Sequence, residues 1–182
     1  MDDLSFLEQD AVAVARRLLG WRFYRQDASG LVGGVIIETE AYTEDDAASH
    51  TFNGKTNRNK VMFGSAGHLY VYFTYGMHYC VNIVAGHDGR GEGVLLRALV
   101  PDQGIDIISQ RRHSQPDNML VNGPAKLCQA LNIGRDDNGK AVNQGEFLLL
   151  PPDKPIFNVQ ATERIGIKKN TSYNWRFIAD VK

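Results

Sequence analysis

"HLYVYFTYGMHYCVNIVAG", His68 to Gly86, is the stretch that decides the fold class. Two runs, near His68–Thr74 and Met77–Val84, are rich in β-branched and aromatic residues, the composition that suits a strand. They meet at Tyr75-Gly76, a pair short enough for a tight turn. In the first run Leu69, Val71 and Phe73 alternate with Tyr70, Tyr72 and Thr74. Residues two apart share a face of a strand, so one face is apolar and the other aromatic and polar. The pair reads as a hairpin.

Working outward, "GVLLRALVP" (Gly93 to Pro101) is a third strong strand. Upstream, Val35 to Ile37 after Gly33-Gly34 starts another, which runs into Glu38, Thr39 and Glu40. "YNWRFIAD" reads as a closing strand near the C-terminus. Asp102 to Arg112 and Gly123 to Leu131 read as helices, with Pro124 in the first turn, where its missing N–H costs nothing. Near the start, Ser5 and Glu8 have the spacing of a capping box, and Asp10 serves equally well as a helix start. Leu7, Ala11, Val14, Ala15 and Leu18 then recur at helical spacing up to Gly20. "LLLPPDKPIF" (Leu148 to Phe157) reads as a loop. Strands joined by hairpins, with no regular βαβ alternation, imply an α+β fold. The expectation is a single domain over residues 1–182, with a mainly antiparallel, curved sheet and surrounding helices.

At 182 residues the chain is long enough to bury a substantial core, and 43% hydrophobic with 23% charged residues is a globular composition. The 20 Lys plus Arg against 21 Asp plus Glu exclude a global basic footprint, so any nucleic-acid binding must rest on a local face. Cys80 and Cys128 lie in apolar segments and read as reduced, buried thiols. "MDDLSFLEQD" lacks the basic start of a signal peptide, and no apolar run has membrane-spanning length. A cytoplasmic protein, with no membrane partner and expected as a monomer, is the reading.

Charge is placed unevenly. Five acidic residues fall within Glu38 to Asp46, and the next 37 residues, Thr51 to His87, contain none. Lys55, Arg58 and Lys60 follow directly after the acidic cluster. Glu38 and Glu40 share a strand face, and a carboxylate at a strand end in a cleft can act as a general base. It can as well be one member of a solvated acidic loop. His50 alone suits a structural hydrogen bond as readily as catalysis. The five histidines form no metal-binding pattern, so no metal is expected. Arg97 interrupts "VLLRALV" and needs an anion, for which Glu38 and Glu40 are the obvious candidates. Tyr42, Tyr70, Tyr72, Tyr75 and Tyr79 are dense enough to offer flat faces beside a carboxylate, which would suit a nucleobase. Tyr75 stands at a hairpin tip, where an aromatic can act as a wedge. Asn82 carries an amide among apolar neighbours; it either pairs within the sheet or reads the edge of a base.

Five ordered segments, "ETEAY", "NRNKVMF", "AGHLYVYFTYGMHYCVN", "GVLLRALVP" and "NGPAKLCQAL", together resemble the alkyladenine (3-methyladenine) DNA glycosylases of the vertebrate AAG type. The resemblance extends to "RIGI" and "NWRF" and covers nearly the whole chain. It implies that Glu40 activates the water that attacks the sugar C1′, with Arg97 helping to hold that water. It implies a base pocket of Tyr42 and Tyr72, stacking on opposite faces of an extruded base, with His50 contacting the base. Asn82 would reject normal guanine through its exocyclic amine, and Tyr75 would intercalate where the base leaves the duplex. Lys55, Arg58 and Lys60 would lie beside phosphates, where Asp or Glu would repel. The partner is double-stranded DNA carrying damaged purines, of the 3-methyladenine, 7-methylguanine, hypoxanthine and ethenoadenine class. No cofactor is implied, and no lysine in the motif offers a Schiff base, so base release without strand cleavage is expected.

The chain departs from the family pattern at Asn57, where Pro is expected, at His78, where an aromatic is expected, and across the loop Thr51–Asn57. These positions bear on lesion range and on contacts around the wedge. They leave Glu40 and Arg97 in place. Two other readings stand beside the glycosylase. One is a damaged-DNA-binding module without chemistry. The other is a different carboxylate-dependent hydrolase acting on free nucleosides.

Overall fold

The computed structural model describes residues 3–181; Met1, Asp2 and Lys182, the extreme ends of the expected domain, lie outside the described residues. The chain opens with a 3-10 turn at Ser5–Glu8, followed by α1 (Ala11–Arg17). Asp10 is the cap of α1: its side chain accepts from the backbone N–H of Val12 and Ala13. That satisfies two of the donors a helix start leaves open. Ser5 makes no cap hydrogen bond, so of the two starts anticipated it is the Asp10 one that forms.

The strands are β1 (Arg22–Asp27), β2 (Gly30–Tyr42), β3 (Leu69–Thr74), β4 (His78–Val84), β5 (Gly93–Gln103), β6 (Phe147–Leu150), β7 (Ile156–Thr162) and β8 (Arg176–Val181). All their pairings are antiparallel, in the order β3-β4-β5-β2-β1-β6, with β8 bridging β2 to β7. The sheet curls into a half-barrel, the α+β class the hairpins implied. The remaining helices are α2 (Ile105–Arg111) and α3 (Pro124–Ala130). α2 begins later than the sequence pattern suggested, because β5 continues through Asp102 and Gln103. "LLLPPDKPIF" is a loop only in its middle: Leu148–Leu150 close β6, and Ile156 opens β7.

The 13-residue β2 organises the molecule. One edge pairs with β5 along nearly its whole length; the other pairs first with β1 and then with β8. Gly33 and Gly34 allow the neighbouring backbones to close in. A Cβ on Gly34 would lie 2.0 Å from the Val100 carbonyl oxygen, and one on Gly33 would lie 2.2 Å from that of Phe23. Glycine inside a strand marks this kind of close approach and bend. Further along, the β2–β5 ladder carries two compensating bulges. Ile36 pairs with Leu99 and Glu38 with Ala98, so Ile37 is extra on β2; Thr39 then pairs with Leu96, so Arg97 is extra on β5.

One apolar core fills the side of the sheet covered by α1 and α3, from Phe6 and Leu18 through Ile36, Leu69, Val81 and Leu96 to Leu127 and Phe177. A second, smaller cluster of Met62, Tyr70 and Val84, with Tyr72 against it, is separate from that core. Cys80 and Cys128 are both free and buried, as anticipated.

Candidate active site

The bulge at Arg97 accounts for the cation inside an apolar strand. Bulges re-aim side chains and are frequent beside functional sites. Arg97 Nε donates to Glu38 Oε1 at 2.9 Å, and its terminal nitrogen Nη1 lies 3.3 Å from Glu40 Oε1. Burial opposes its charge, but Glu40 and Glu38 outweigh burial and hold the guanidinium above its ordinary pKa. Both carboxylates named from sequence are therefore its partners. Glu38 is shared with Arg176 of β8, at 2.8 Å.

Glu40 is completely buried. Its Oε1 also accepts the backbone N–H of Ile165 at 2.8 Å, and its Oε2 accepts the Tyr42 hydroxyl at 2.9 Å. Two hydrogen-bond donors, from β2 and the 164–169 segment, and the Arg97 cation from β5 thus converge on one carboxylate, fixing its plane. Burial first, then the charge and hydrogen bond of Glu40, push the Tyr42 phenol far above its usual pKa, so it stays a donor.

Next to this carboxylate lies a cavity of about 410 Å³, walled by the Tyr42, Arg97 and Ile165 that hold the carboxylate but not by Glu40 itself, and within the size range of small-molecule sites. Tyr42, His50, Tyr72, Asn82 and Arg97 all line it, and Tyr75 stands at its rim. The register brings them together: Glu40 pairs with Leu95, Leu95 with Asn82, and Asn82 with Tyr70, one row across β2, β5, β4 and β3. Alternation then places Tyr72 on the same face as Tyr70. The Tyr70 and Tyr72 rings stack at 5.5 Å, and the His50 ring meets Tyr72 edge-on at 4.6 Å. His50 Nδ1 lies 3.1 Å from the Tyr70 hydroxyl. Packing against these rings, with Arg58 nearby, lowers the His50 pKa below its usual 6.5 and favours the neutral imidazole. Asn82 is 4% exposed, and it lines the cavity.

Tyr75 is 81% exposed at the tip of the β3–β4 hairpin. It and Gly76 both take positive φ, 50° and 66°, as the central pair of a turn closed by the Met77 N–H on the Thr74 carbonyl at 3.2 Å, within a three-residue loop between β3 and β4. Lys55, Arg58 and Lys60 are all exposed on the segment between His50 and β3. Asn57 lies exposed in the same loop, and His78 is exposed beside the hairpin tip.

The C-terminal third supplies residues the spacing analysis did not single out. Arg164 is buried and paired with buried Asp46, and it donates to the Ala41 carbonyl at 2.9 Å. Its guanidinium sits 4.7 Å over the Tyr42 ring. Asn170 donates to Asp46 at 2.7 Å. Ile165, Gly166, Lys168 and Lys169 complete the cavity wall, both lysines being exposed. The only earlier signal for this segment was the "RIGI" resemblance. Among the described residues no group of three or more His, Cys, Asp or Glu could hold a metal ion, and no helix is long and apolar enough to cross a membrane.

The site thus sets a buried carboxylate, held by an arginine and a tyrosine, beside an aromatic-walled cavity with an exposed tyrosine at its rim. The model of the methylpurine-DNA glycosylase family matches residues 5–182. Curated relatives agree along the chain. A protein of Agrobacterium fabrum named "Putative 3-methyladenine DNA glycosylase" is 47% identical over 95% of this chain and 86% of its own length. Proteins of the same name from Carboxydothermus hydrogenoformans and Methanoculleus marisnigri are 45% and 43% identical, each over 95% of this chain and 92% of their own. The chain belongs to the methylpurine-DNA glycosylase family. It is a DNA glycosylase, a hydrolase with DNA as its substrate, acting in the repair of alkylated bases.

Proposed function

We propose that the protein is a monofunctional glycosylase that extrudes damaged purines from duplex DNA and removes them by water attack at C1′. The observation that carries this reading is the convergence on the buried Glu40 of Arg97, Tyr42 and the Ile165 N–H, three groups that also line the cavity. The glycosidic bond breaks, the base departs with the bonding electrons, and C1′ becomes cationic. The negative charge of Glu40 stabilises that centre, and its carboxylate takes a proton from water as the hydroxyl adds to C1′. The products are the free base and an abasic sugar.

Tyr42 and Tyr72 supply the stacking faces, and His50 and Asn82 the edge contacts. The Asn82 amide in the cavity wall would meet the exocyclic amine of normal guanine, and a neutral His50 offers both a donor and an acceptor. Flipping costs a few kcal/mol, and the Tyr75 wedge and pocket stacking offset part of that. Lys55, Arg58 and Lys60 on one side and Lys168 and Lys169 on the other would border the phosphates. This local face supports duplex binding by a chain of net charge −1. Hypoxanthine and ethenoadenine belong to the proposed range with 3-methyladenine and 7-methylguanine. A monomer in the cytoplasm is part of the same reading, supported by two free, buried thiols.

The test incubates the protein, without added metal, with duplexes carrying one hypoxanthine, ethenoadenine or 7-methylguanine. Free base and alkali-sensitive sites should appear, with no strand cleavage before alkali and no borohydride-trapped adduct. Release from free nucleosides with no need for duplex would move the assignment to a nucleoside hydrolase.

A further inference from the structure

The buried pair behind Tyr42 has a consequence for which bases the pocket accepts. Arg164 and Asp46 both have fully buried side chains. The guanidinium lies 4.7 Å from the Tyr42 ring centroid and 5.2 Å from that of Trp175. Its Nε and one terminal nitrogen have no hydrogen-bond acceptor among the described residues. Its charge is therefore met by the Asp46 carboxylate, the Ala41 carbonyl and two aromatic faces. Asp46 is itself fixed by the Ala48 N–H at 3.0 Å and by Asn170.

A ring with a cation against one face is a weaker platform for a cation on the other, because both draw on the same quadrupole. A base stacked on the pocket face of Tyr42 would lie roughly 9 Å from the Arg164 guanidinium. Arg164 left alone would repel a cationic base there. Paired with Asp46, it holds the ring with no net charge.

We propose that Asp46 is a specificity-determining residue: by neutralising Arg164 behind the Tyr42 ring, it allows the pocket to accept positively charged N-alkylated purines. The inference rests on the glycosylase reading above. It separates two substrate classes by charge: an uncompensated Arg164 repels a bound cationic base, whereas a base such as hypoxanthine is neutral when bound and takes up the bonding electrons as it leaves, so the same field does not oppose its release.

The experiment measures single-turnover release of 7-methylguanine, which is cationic, and of hypoxanthine, which is neutral, from matched duplexes, corrected for spontaneous loss. Asp46→Asn should lower the ratio of the two rates about tenfold relative to wild type, the size expected for an uncompensated charge at this distance in a partly buried site. The double variant Asp46→Asn/Arg164→Met carries no net charge behind the ring and should return the ratio to the wild-type value, even if both rates are lower. General loosening of the pocket would lower both rates without this pattern. A folded Asp46→Asn with an unchanged ratio overturns the proposal. If Asp46→Asn fails to fold, Arg164→Met decides: Asp46 left without its cation should raise the ratio about tenfold, and an unchanged ratio overturns the proposal. Wild-type protein that releases neither base would instead overturn the glycosylase reading on which the inference stands.

Discussion

Tyr42 is expected to serve two roles through different atoms, and Tyr42→Phe separates them. The ring faces the cavity, while the hydroxyl donates to Glu40 Oε2 at 2.9 Å, beside a carboxylate with no exposure to solvent. Phe keeps the ring and the Arg164 contact behind it, and removes one of the two hydrogen-bond donors on Glu40. A hydrogen bond to a charged group is worth about 1.5–3 kcal/mol, and leaving a buried acceptor unsatisfied costs a similar amount. If the bond holds the carboxylate equally in the ground and transition states, the loss falls on stability. If it holds Glu40 in its reacting position, the single-turnover rate drops about tenfold to a hundredfold. The account predicts the second, together with a lower urea midpoint and little change in affinity for a lesion duplex, because the stacking face remains. Tyr42→Leu should lose affinity as well as rate. Rates by quenched single-turnover release, affinity by fluorescence anisotropy and stability by urea titration resolve the three effects. Tyr42→Phe with wild-type rate and midpoint would refute the argument that the hydroxyl matters to Glu40. Lost affinity with an unchanged rate would refute the division of roles.

Other outcomes follow from the same geometry. Tyr75→Ser should weaken binding of lesion duplex much more than it slows chemistry on DNA already bound, read from anisotropy and single-turnover rates; unchanged affinity would mean the hairpin tip is no wedge. Replacing Lys55, Arg58 and Lys60 together with Ala should reduce the slope of log affinity against log salt by about 3, if each meets one phosphate. His50 should titrate below 6.5 by NMR. Its folded pKa is depressed, so the unfolded chain binds the extra proton first, and His50 makes stability rise with pH between its folded pKa and 6.5. For Asp46, burial alone would raise the pKa. The hydrogen bonds from Arg164, Ala48 and Asn170 outweigh burial and hold it below 3.8. The stability it adds is complete above 3.8 and is lost as pH falls through the folded pKa, so a folded Asp46→Asn should show a shallower acid limb in its unfolding profile.

Much of this was legible in the residues. The hairpin declared itself because Leu69 to Thr74 alternates strictly and Tyr75-Gly76 supplies the turn. Glu38 and Glu40 were legible as neighbours on one face, and Arg97 as a cation in need of them. The two bulges that bring all three together were not legible, because a register skip leaves no composition signal. β1 was missed because Arg22, Arg25, Gln26 and Asp27 mask its pattern, although Phe23 and Tyr24 are buried. β7 is an edge strand with mostly exposed side chains, so no alternation was required of it. Arg164 was legible only through a resemblance. Its partner Asp46 lies 118 residues away, and nothing local pairs the two before the fold closes. Asp46 itself looked like one more acid in a solvated cluster, yet it is 1% exposed.

The central claim is that Glu40 is the group that turns a base-binding pocket into a glycosylase. The most direct measurement is the single-turnover rate of base release by Glu40→Gln on a lesion duplex, at saturating protein, beside the wild type. Gln matches the shape and keeps an acceptor, and it removes the charge and the basicity. The account predicts intact lesion binding and a rate lower by at least about a hundredfold. A Glu40→Gln rate close to wild type would contradict it and leave Glu40 as a structural partner of Arg97.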